Sequence, residues 1–115
     1  MYICAMYSKE LTKGTLQPII LSLVYSKGRM YGYEITQEVK KMTSGKIDIS
    51  EGALYPILHK LEAKKVLETE KVFIGKRVRK YYKVTKEGKK VVDTVTEEIN
   101  DFIETLSLIF NPKPA

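Results

Sequence analysis

Hydrophobic residues recur at helical spacing in two segments near the start of the chain. The first predicts a helix over residues 8–26, with Ser8 as a candidate N-cap and Gly28 just past its end. Because Pro18 is unfavourable inside a helix, a later start near Thr15 or Leu16 is the alternative. The second segment predicts a helix over residues 32–43. The residues expected to face inward are Leu16, Ile19, Ile20, Leu23 and Val24 in the first helix and Ile35, Val39 and Met42 in the second.

The stretch SEGALYPILHKLE, residues 50–62, predicts a third helix although it contains Gly52 and Pro56. These residues cost about 1 and about 3 kcal/mol, respectively, relative to alanine inside a helix. Ser50 is the expected N-cap. The apolar stripe consists of Leu54, Ile57, Leu58 and Leu61, and the opposite, outer face carries Gly52, Tyr55, Pro56, His59 and Ala63, flanked by Lys60 and Lys64. Both helix breakers therefore lie on the outer face, where an unpaired carbonyl can meet water or a ligand.

Two runs rich in Val, Ile, Phe and Tyr follow, at residues 66–74 and 77–84. The turn residues GKR lie between them, so the pair predicts a β-hairpin with a basic tip. Tyr81 and Tyr82 are neighbours in the second strand and point to opposite faces. We expect one of them in the core and the other on the surface.

The last segment predicts a long helix over residues 86–110, capped by Thr85 and ended by the sequence NPKPA. Its apolar residues are spaced alternately by three and four positions, which is typical of a seam between paired helices. The expected dimer contacts are Val92, Val95, Ile99, Phe102, Ile103, Leu106 and Ile109. The alternative is an ordinary amphipathic helix that packs on its own domain.

This order of elements predicts a mainly α fold with a small β-hairpin. It is the order of a winged helix-turn-helix, in residues 8–85, followed by a dimerisation helix in residues 86–110. In that fold the third helix enters the major groove of DNA and the hairpin, or wing, contacts phosphates or the neighbouring groove. The candidate DNA contacts are Ser50, Gly52, Ala53, Tyr55, Pro56, His59, Lys60 and Lys64 on the helix and Lys76, Arg77, Arg79 and Lys80 on the wing.

The charge distribution favours a polyanionic partner. The chain has a net charge of +6, and eight basic residues against one acidic residue lie between Lys76 and Lys90. The rest of the chain therefore sums to −1. A basic run of this kind is also compatible with a solvated surface, so charge alone leaves both interpretations open.

Other classes of protein find little support in the sequence. Cys4 and His59, the single cysteine and the single histidine, are too few for a zinc site, and no nucleophile, phosphate loop or other catalytic motif is present. We therefore expect no enzyme, no cofactor and no metal. The longest apolar run is too short to span a membrane and no cleavable signal follows the N-terminus, so a cytoplasmic protein is expected. The first seven residues are interpreted as an N-terminal extension.

Four motifs together resemble the PadR family of bacterial transcriptional regulators. They are GTLQPIILSLV, YGYEI, EGALYPILHKLEAKKVLE and RKYYKVTKEG, which cover residues 13 to about 90 in the order of the family. Val84 and Ala53 depart from the usual Leu and Thr of these motifs. The resemblance implies a winged-helix DNA-binding domain, a homodimer formed through the C-terminal helix and repression of a nearby promoter. It also implies that Tyr33, in YGYEI, contacts the DNA backbone.

Some small members of this family bind flat aromatic drugs between tryptophans at the centre of the dimer. This chain has no tryptophan and so lacks the side chains of that pore, and Val95, Ile99 and Phe102 are the candidates for a substitute effector pocket. The prediction is a homodimeric repressor of a palindromic operator in double-stranded DNA, with an unknown small-molecule effector possible. The alternatives are a winged-helix module that binds a protein and a small-molecule-binding dimer without a DNA role.

Overall fold

The computed structural model describes residues 7–114. The first six residues, including Cys4, lie outside the described residues, as does Ala115. The elements in chain order are α1 (Lys9–Thr12), a 3-10 turn (Lys13–Thr15), α2 (Leu16–Lys27), β1 (Met30–Tyr31), α3 (Gly32–Met42), α4 (Glu51–Ala63), β2 (Leu67–Ile74), β3 (Arg77–Val84) and α5 (Gly88–Phe110). The fold is mainly helical with a small antiparallel sheet, as predicted.

The predicted first helix is divided in two, and the prediction of one continuous helix is wrong. Ser8 caps the short α1, since its hydroxyl accepts a hydrogen bond from the amide of Leu11 at 3.2 Å. The main helix, α2, begins at Leu16, so Pro18 falls in its first turn. Amide groups in a first turn have no partner inside the helix, and proline is tolerated there. The alternative start near Leu16 is confirmed.

Helices α2, α3 and α4 bury their apolar stripes around one core. The fully or nearly buried residues include Ile20, Leu21, Leu23, Val24, Ile35, Val39, Leu54, Leu58 and Leu61 from the helices and Met30, Leu67 and Tyr82 from the strands. The predicted inward position of Met42 is wrong, because its side chain is 66% exposed. Met42 ends α3 and borders an open groove between α2, α3 and α5.

The third helix, α4, forms over both predicted breakers. The amide of Ala53 donates to the Ser50 hydroxyl at 3.2 Å, which confirms the N-cap. Leu54, Leu58 and Leu61 are buried, while Ile57 is half-buried. Pro56 lies inside the helix and is exposed. The carbonyl that loses a helical hydrogen bond because proline has no amide is therefore on the solvent side, where water can bind it.

The sheet has three strands in the order β1-β3-β2, all antiparallel. Strands β2 and β3 form the predicted hairpin, which we call the wing, and they pair along their whole length from Leu67 opposite Val84 to Ile74 opposite Arg77. The sequence did not predict β1, which pairs Met30 with Tyr82 and Tyr31 with Tyr81. A strand of two residues is too short to show a period of alternation.

Helix α5 starts at a tight junction with the segment that joins α4 to β2. The hydroxyl of Thr85 accepts a hydrogen bond from the amide of Gly88 at 2.8 Å and donates to the carbonyl of Lys65 at 2.7 Å. Gly88 is buried, and a β carbon there would overlap the carbonyl of Val66. Thr85 therefore bonds the first amide of the helix, as a cap would, but the helix begins two residues later than predicted and Glu87 holds the N-cap position.

The first turns of α5 pack on α2, and the rest of the helix extends away from the core. Val92 is 5% exposed, whereas Phe102 and Ile103 are more than half exposed. The molecule measures 62 × 39 × 21 Å, with a radius of gyration of 16.3 Å. A compact domain of this length has a radius of gyration of about 13 Å. The excess is consistent with a helix that projects from the body.

Candidate nucleic-acid interface

A groove of about 490 Å³ lies between the wing and the helical body. Tyr55 of α4 and the start of α3 form one wall, and the end of β2 with β3 forms the other. The lining residues are Tyr31, Gly32, Tyr33, Tyr55, Ile74, Arg77, Val78, Arg79, Lys80 and Tyr82. None of these described lining residues is acidic. The groove therefore joins aromatic rings and cationic groups on one side of the molecule.

The outer face of α4 is exposed as the helical wheel predicts. The exposed candidates are Ser50, Gly52, Pro56, His59, Lys60 and Lys64, while Ala53 and Tyr55 are half-buried. The rings of Tyr55 and His59 lie 6.1 Å apart between centroids. A β carbon at Gly52 would meet only the Ser50 hydroxyl, at 4.0 Å. Packing within the described chain therefore does not require glycine at this position.

Tyr55 crosses from α4 to the beginning of α3. Its ring lies directly over Gly32, where a β carbon would come within 2.8 Å of the Tyr55 Cζ atom. Gly32 is buried and Tyr33, beside it, is 60% exposed. The glycine of YGYEI thus allows the phenol of Tyr55 to lie at the floor of the groove, with Tyr33 at the rim.

The four basic candidates on the wing fall into two pairs. Lys76 and Arg77 lie at the turn and are exposed, and neither forms an ion pair with another residue of the described range 7–114. Arg79 and Lys80 are half-buried because each has a partner. The Arg79 guanidinium lies 4.1 Å from the centroid of the Tyr31 ring, and the Lys80 ammonium lies 3.5 Å from the carboxylate of Glu62 on α4.

Stacked side chains continue from Arg79 across the outer face of the sheet. The Tyr31 and Tyr81 rings meet edge to face, with centroids 5.5 Å apart. On the far side of Tyr81 lies the Arg29 guanidinium, 4.3 Å from the ring centroid, and it also binds the carboxylate of Glu70 on β2. Hydrogen bonding with Tyr81 raises the pKa of Arg79. These contacts link the wing to the segment before α3.

Sequence reasoning did not identify Arg29, Tyr31 or Glu70 as part of this region. The stacking depends on β1, which brings Tyr31 beside Tyr81. The prediction that Tyr81 and Tyr82 face opposite ways is confirmed, because Tyr82 is 2% exposed and Tyr81 is half-buried. Burial raises the pKa of the Tyr82 phenol, and the nearby Lys80 partly offsets this effect.

The candidate dimer residues of α5 differ in their solvent exposure in the single chain. Val92 is buried, Val95, Ile99 and Leu106 are half-buried, and Phe102, Ile103 and Ile109 are exposed. The candidate effector residues do not meet in one cavity of the single chain. Ile99 lines a groove of about 330 Å³ with α2 and α3, while Val95 borders another groove with Ala53 and Ile57 of α4. Phe102 lines neither groove.

No helix within residues 7–114 is both long enough and apolar enough to cross a membrane.

Three helices that carry a two-stranded wing and precede a long final helix define this chain as a winged helix-turn-helix protein. The family model of the PadR-like transcriptional regulators matches residues 20–94. The chain belongs to this family of transcriptional regulators, which confirms the resemblance seen in the sequence motifs.

Individual relatives agree with this assignment. An uncharacterized protein of Lysinibacillus sphaericus is 36% identical over 106 residues, which cover 90% of this chain and 94% of the relative. The structure of a transcriptional regulator from Clostridium thermocellum superposes with a TM-score of 0.78 at 28% identity, over 89% of this chain and 96% of that one. Bacillus subtilis PadR, solved in complex with operator DNA, gives a TM-score of 0.63 at 28% identity, over 70% of this chain and 45% of that one.

Proposed function

We propose that this protein is a homodimeric repressor that binds a two-fold-related operator near the promoter it controls. Residues 8–85 would contact DNA, and residues 86–110 would hold the two copies together. The exposed outer face of α4 would lie in the major groove, while Lys76, Arg77, Arg79 and Lys80 of the wing would contact phosphates. Such a regulator has no catalytic role and acts where the chromosome lies, in the bacterial cytoplasm.

The groove between the wing and α4 is the observation that carries this proposal. Phosphate binding needs cationic groups, which the wing supplies, and none of the described residues in the lining is acidic to oppose it. The opposite wall contributes the exposed phenol of Tyr33, which can donate a hydrogen bond to a phosphate oxygen. Charge and hydrogen-bond donors thus meet in one groove, which Tyr55 of α4 also lines.

The dimer part of the proposal rests on the exposed end of α5. Phe102, Ile103 and Ile109 lie on the predicted seam and are 52%, 56% and 67% exposed. Apolar side chains exposed together along one helix favour association with another helix. The groove beside Ile99 is also open to a partner. Two copies joined by their α5 helices would set the separation of the two α4 helices, which must match half-sites about one DNA turn apart.

In this proposal, a small-molecule effector would bind at the centre of the dimer, between the two α5 helices. Val95, Ile99 and Phe102 lie one helical turn apart along α5, so two copies could bring six such side chains together although one chain does not form the pocket. A ligand that binds one separation of the α4 helices better than another would shift the population toward it and change operator affinity. In the repressor proposal, the ligand lowers that affinity.

Selection from a library of random duplexes tests the proposal directly. The full-length protein should enrich two-fold-related sequences, and its affinity for them should fall steeply with salt because several phosphates are neutralised. The simultaneous change of Lys76, Arg77, Arg79 and Lys80 to Ala should weaken binding to all duplexes to a similar extent and flatten the salt dependence. No enrichment, or binding that salt does not alter, would contradict a DNA role. Enrichment of sequences without two-fold symmetry would contradict the dimeric operator alone.

A further inference from the structure

The region proposed to contact DNA contains an acidic residue that the proposed contacts do not use. Glu62 lies near the end of α4, in the sequence between the exposed Lys60 and Lys64, and its side chain is 35% exposed. A carboxylate repels the phosphates of DNA, so Glu62 opposes the binding that the surrounding cations favour. Its partners on the wing explain its position.

The two carboxylate oxygens of Glu62 contact the two strands of the wing. Oε2 accepts a hydrogen bond from the Thr69 hydroxyl of β2 at 3.2 Å, and Oε1 lies 3.5 Å from the Lys80 ammonium of β3. Both partners lie on the face of the wing that is directed towards the core, because Thr69 pairs with the buried Tyr82 and every second residue of a strand shares a face. One side chain of α4 thus holds both strands.

Lys80 differs from the other three cationic candidates of the wing. Its ammonium lies between the Glu62 carboxylate and the ring of Tyr82, 5.4 Å from the ring centroid. Lys71 stands directly opposite Lys80 in the ladder, and the carboxylate also relieves the repulsion between these two lysines. The other three candidates form no ion pair within residues 7–114. To bind a phosphate, the Lys80 ammonium must therefore leave an anion that it already holds.

We infer that Glu62 competes with DNA phosphates for Lys80 and thereby limits how strongly the wing binds DNA of any sequence. This inference rests on the proposed DNA-binding function and deepens it. A lysine that exchanges one anion for another gains less than an unpaired lysine, since the lost ion pair offsets the new one. Lys80 therefore adds less to affinity than the exposed Lys76. Glu62 holds the general affinity below the value that the charges of the wing allow, which favours faster release from DNA.

Glu62→Gln separates the charge of this residue from its position. The amide carbonyl can still accept the hydrogen bond from Thr69, but the neutral side chain no longer holds the Lys80 ammonium. The variant should bind both the operator and a random duplex roughly two- to fivefold more tightly, the range for one exposed ion pair. The slope of log affinity against log salt should become steeper, by at most about one. Thr69→Val is the matched control, because it removes the other contact of Glu62 and should not steepen the slope.

Lys80→Gln in two backgrounds identifies the competition as the cause, because removal of a repelling carboxylate would by itself favour DNA. In the Glu62→Gln background, Lys80→Gln should reduce the salt slope by about one, as expected for loss of one phosphate contact. In the wild-type background the reduction should be clearly smaller. Lys76→Gln should reduce the slope by about one in both backgrounds, since Lys76 has no ion pair within residues 7–114. Circular dichroism and melting temperature verify that each variant is folded.

The remaining outcomes decide against the inference in different ways. If Lys80→Gln reduces the slope equally in both backgrounds, Glu62 does not compete for Lys80 and acts through its charge alone. If folded Glu62→Gln binds DNA more weakly than the wild type, the ion pair supports the DNA-bound wing and does not oppose it. In both cases the wild-type protein still binds DNA, so the proposed function stands while the inference fails. If the wild type binds no duplex at all, the proposed function itself fails.

Discussion

The Arg79 guanidinium lies over the ring of Tyr31, 4.1 Å from its centroid, and this contact ties the wing to the start of α3. A stacked guanidinium keeps its N–H groups at the edge, where a phosphate oxygen can accept from them. The ring therefore limits the directions in which a flexible arginine can point. Tyr31 acts on DNA binding through Arg79 in this interpretation.

Tyr31→Leu should consequently weaken DNA binding about two- to fivefold, because an exposed cation–π contact contributes about 0.5–1 kcal/mol. Tyr31→Phe keeps the ring and should retain most of the affinity. The slope of affinity against salt concentration should stay unchanged in both variants, since neither alters a charge. Filter binding to the selected operator at several salt concentrations measures both quantities. Equal losses in the two variants would show that the Tyr31 hydroxyl, and not its ring, contributes to binding.

Gly52→Ala should separate stability from DNA affinity. A β carbon at this position has open space around it, and alanine favours the helix by about 1 kcal/mol over glycine. The variant should therefore melt at a higher temperature. If the glycine serves close approach of α4 to the DNA backbone, the same variant should bind the operator more weakly. Unchanged affinity together with the higher melting temperature would mean that glycine is only tolerated here.

Charged residues on the exposed part of α5 should produce monomers. Phe102→Glu and Ile103→Glu place a carboxylate on the proposed seam without disturbing the core, because both side chains are more than half exposed in the single chain. Leu108→Glu is the matched control, since Leu108 is 71% exposed but lies on another side of the helix, near Asp101 and Glu104. Light scattering should report monomers for the first two variants and dimers for the third. Dimers in all three would move the interface away from this seam.

Tyr82 should make the fold sensitive to alkaline pH. Its pKa is raised by burial, so the folded state holds the phenolic proton more strongly than the unfolded state, in which the pKa is about 10. This contribution to stability is fully present below that value and is lost as the pH rises above it. Chemical unfolding between pH 8 and pH 11 should show a steeper loss for the wild type than for Tyr82→Phe. Parallel curves would show that other groups dominate the alkaline transition.

Local signals were sufficient to predict most of this fold. The N-caps at Ser8 and Ser50, the buried stripe of Leu54, Leu58 and Leu61, and the turn of the wing each depend on residues close together in the chain. The misses depend on distant packing. Met42 is exposed because α2, α3 and α5 leave a groove at its position, and a helical pattern in one segment contains no information about that groove.

In the candidate interface, too, local features could be predicted from the sequence and long-range contacts could not. The basic residues and the outer face of α4 could be recognised from charge and helical spacing, but their partners could not. Pairing of Tyr31 with Tyr81 requires β1, which is only two residues long. The placement of Tyr55 over Gly32 joins two helices that the sequence does not place relative to each other. Long-range contacts of this kind decide which cationic side chains are held in place and which are free.

The junction around Gly88 has a mechanical consequence. The amide of Thr85 donates to the carbonyl of Val66 at 3.0 Å, the Thr85 hydroxyl donates to the Lys65 carbonyl at 2.7 Å, and no β carbon separates Gly88 from Val66. Backbone contact without an intervening side chain leaves little freedom for a hinge. The start of α5 is therefore fixed to the segment that joins α4 to β2, and a rotation of α5 would be transmitted to that segment and to the end of α4.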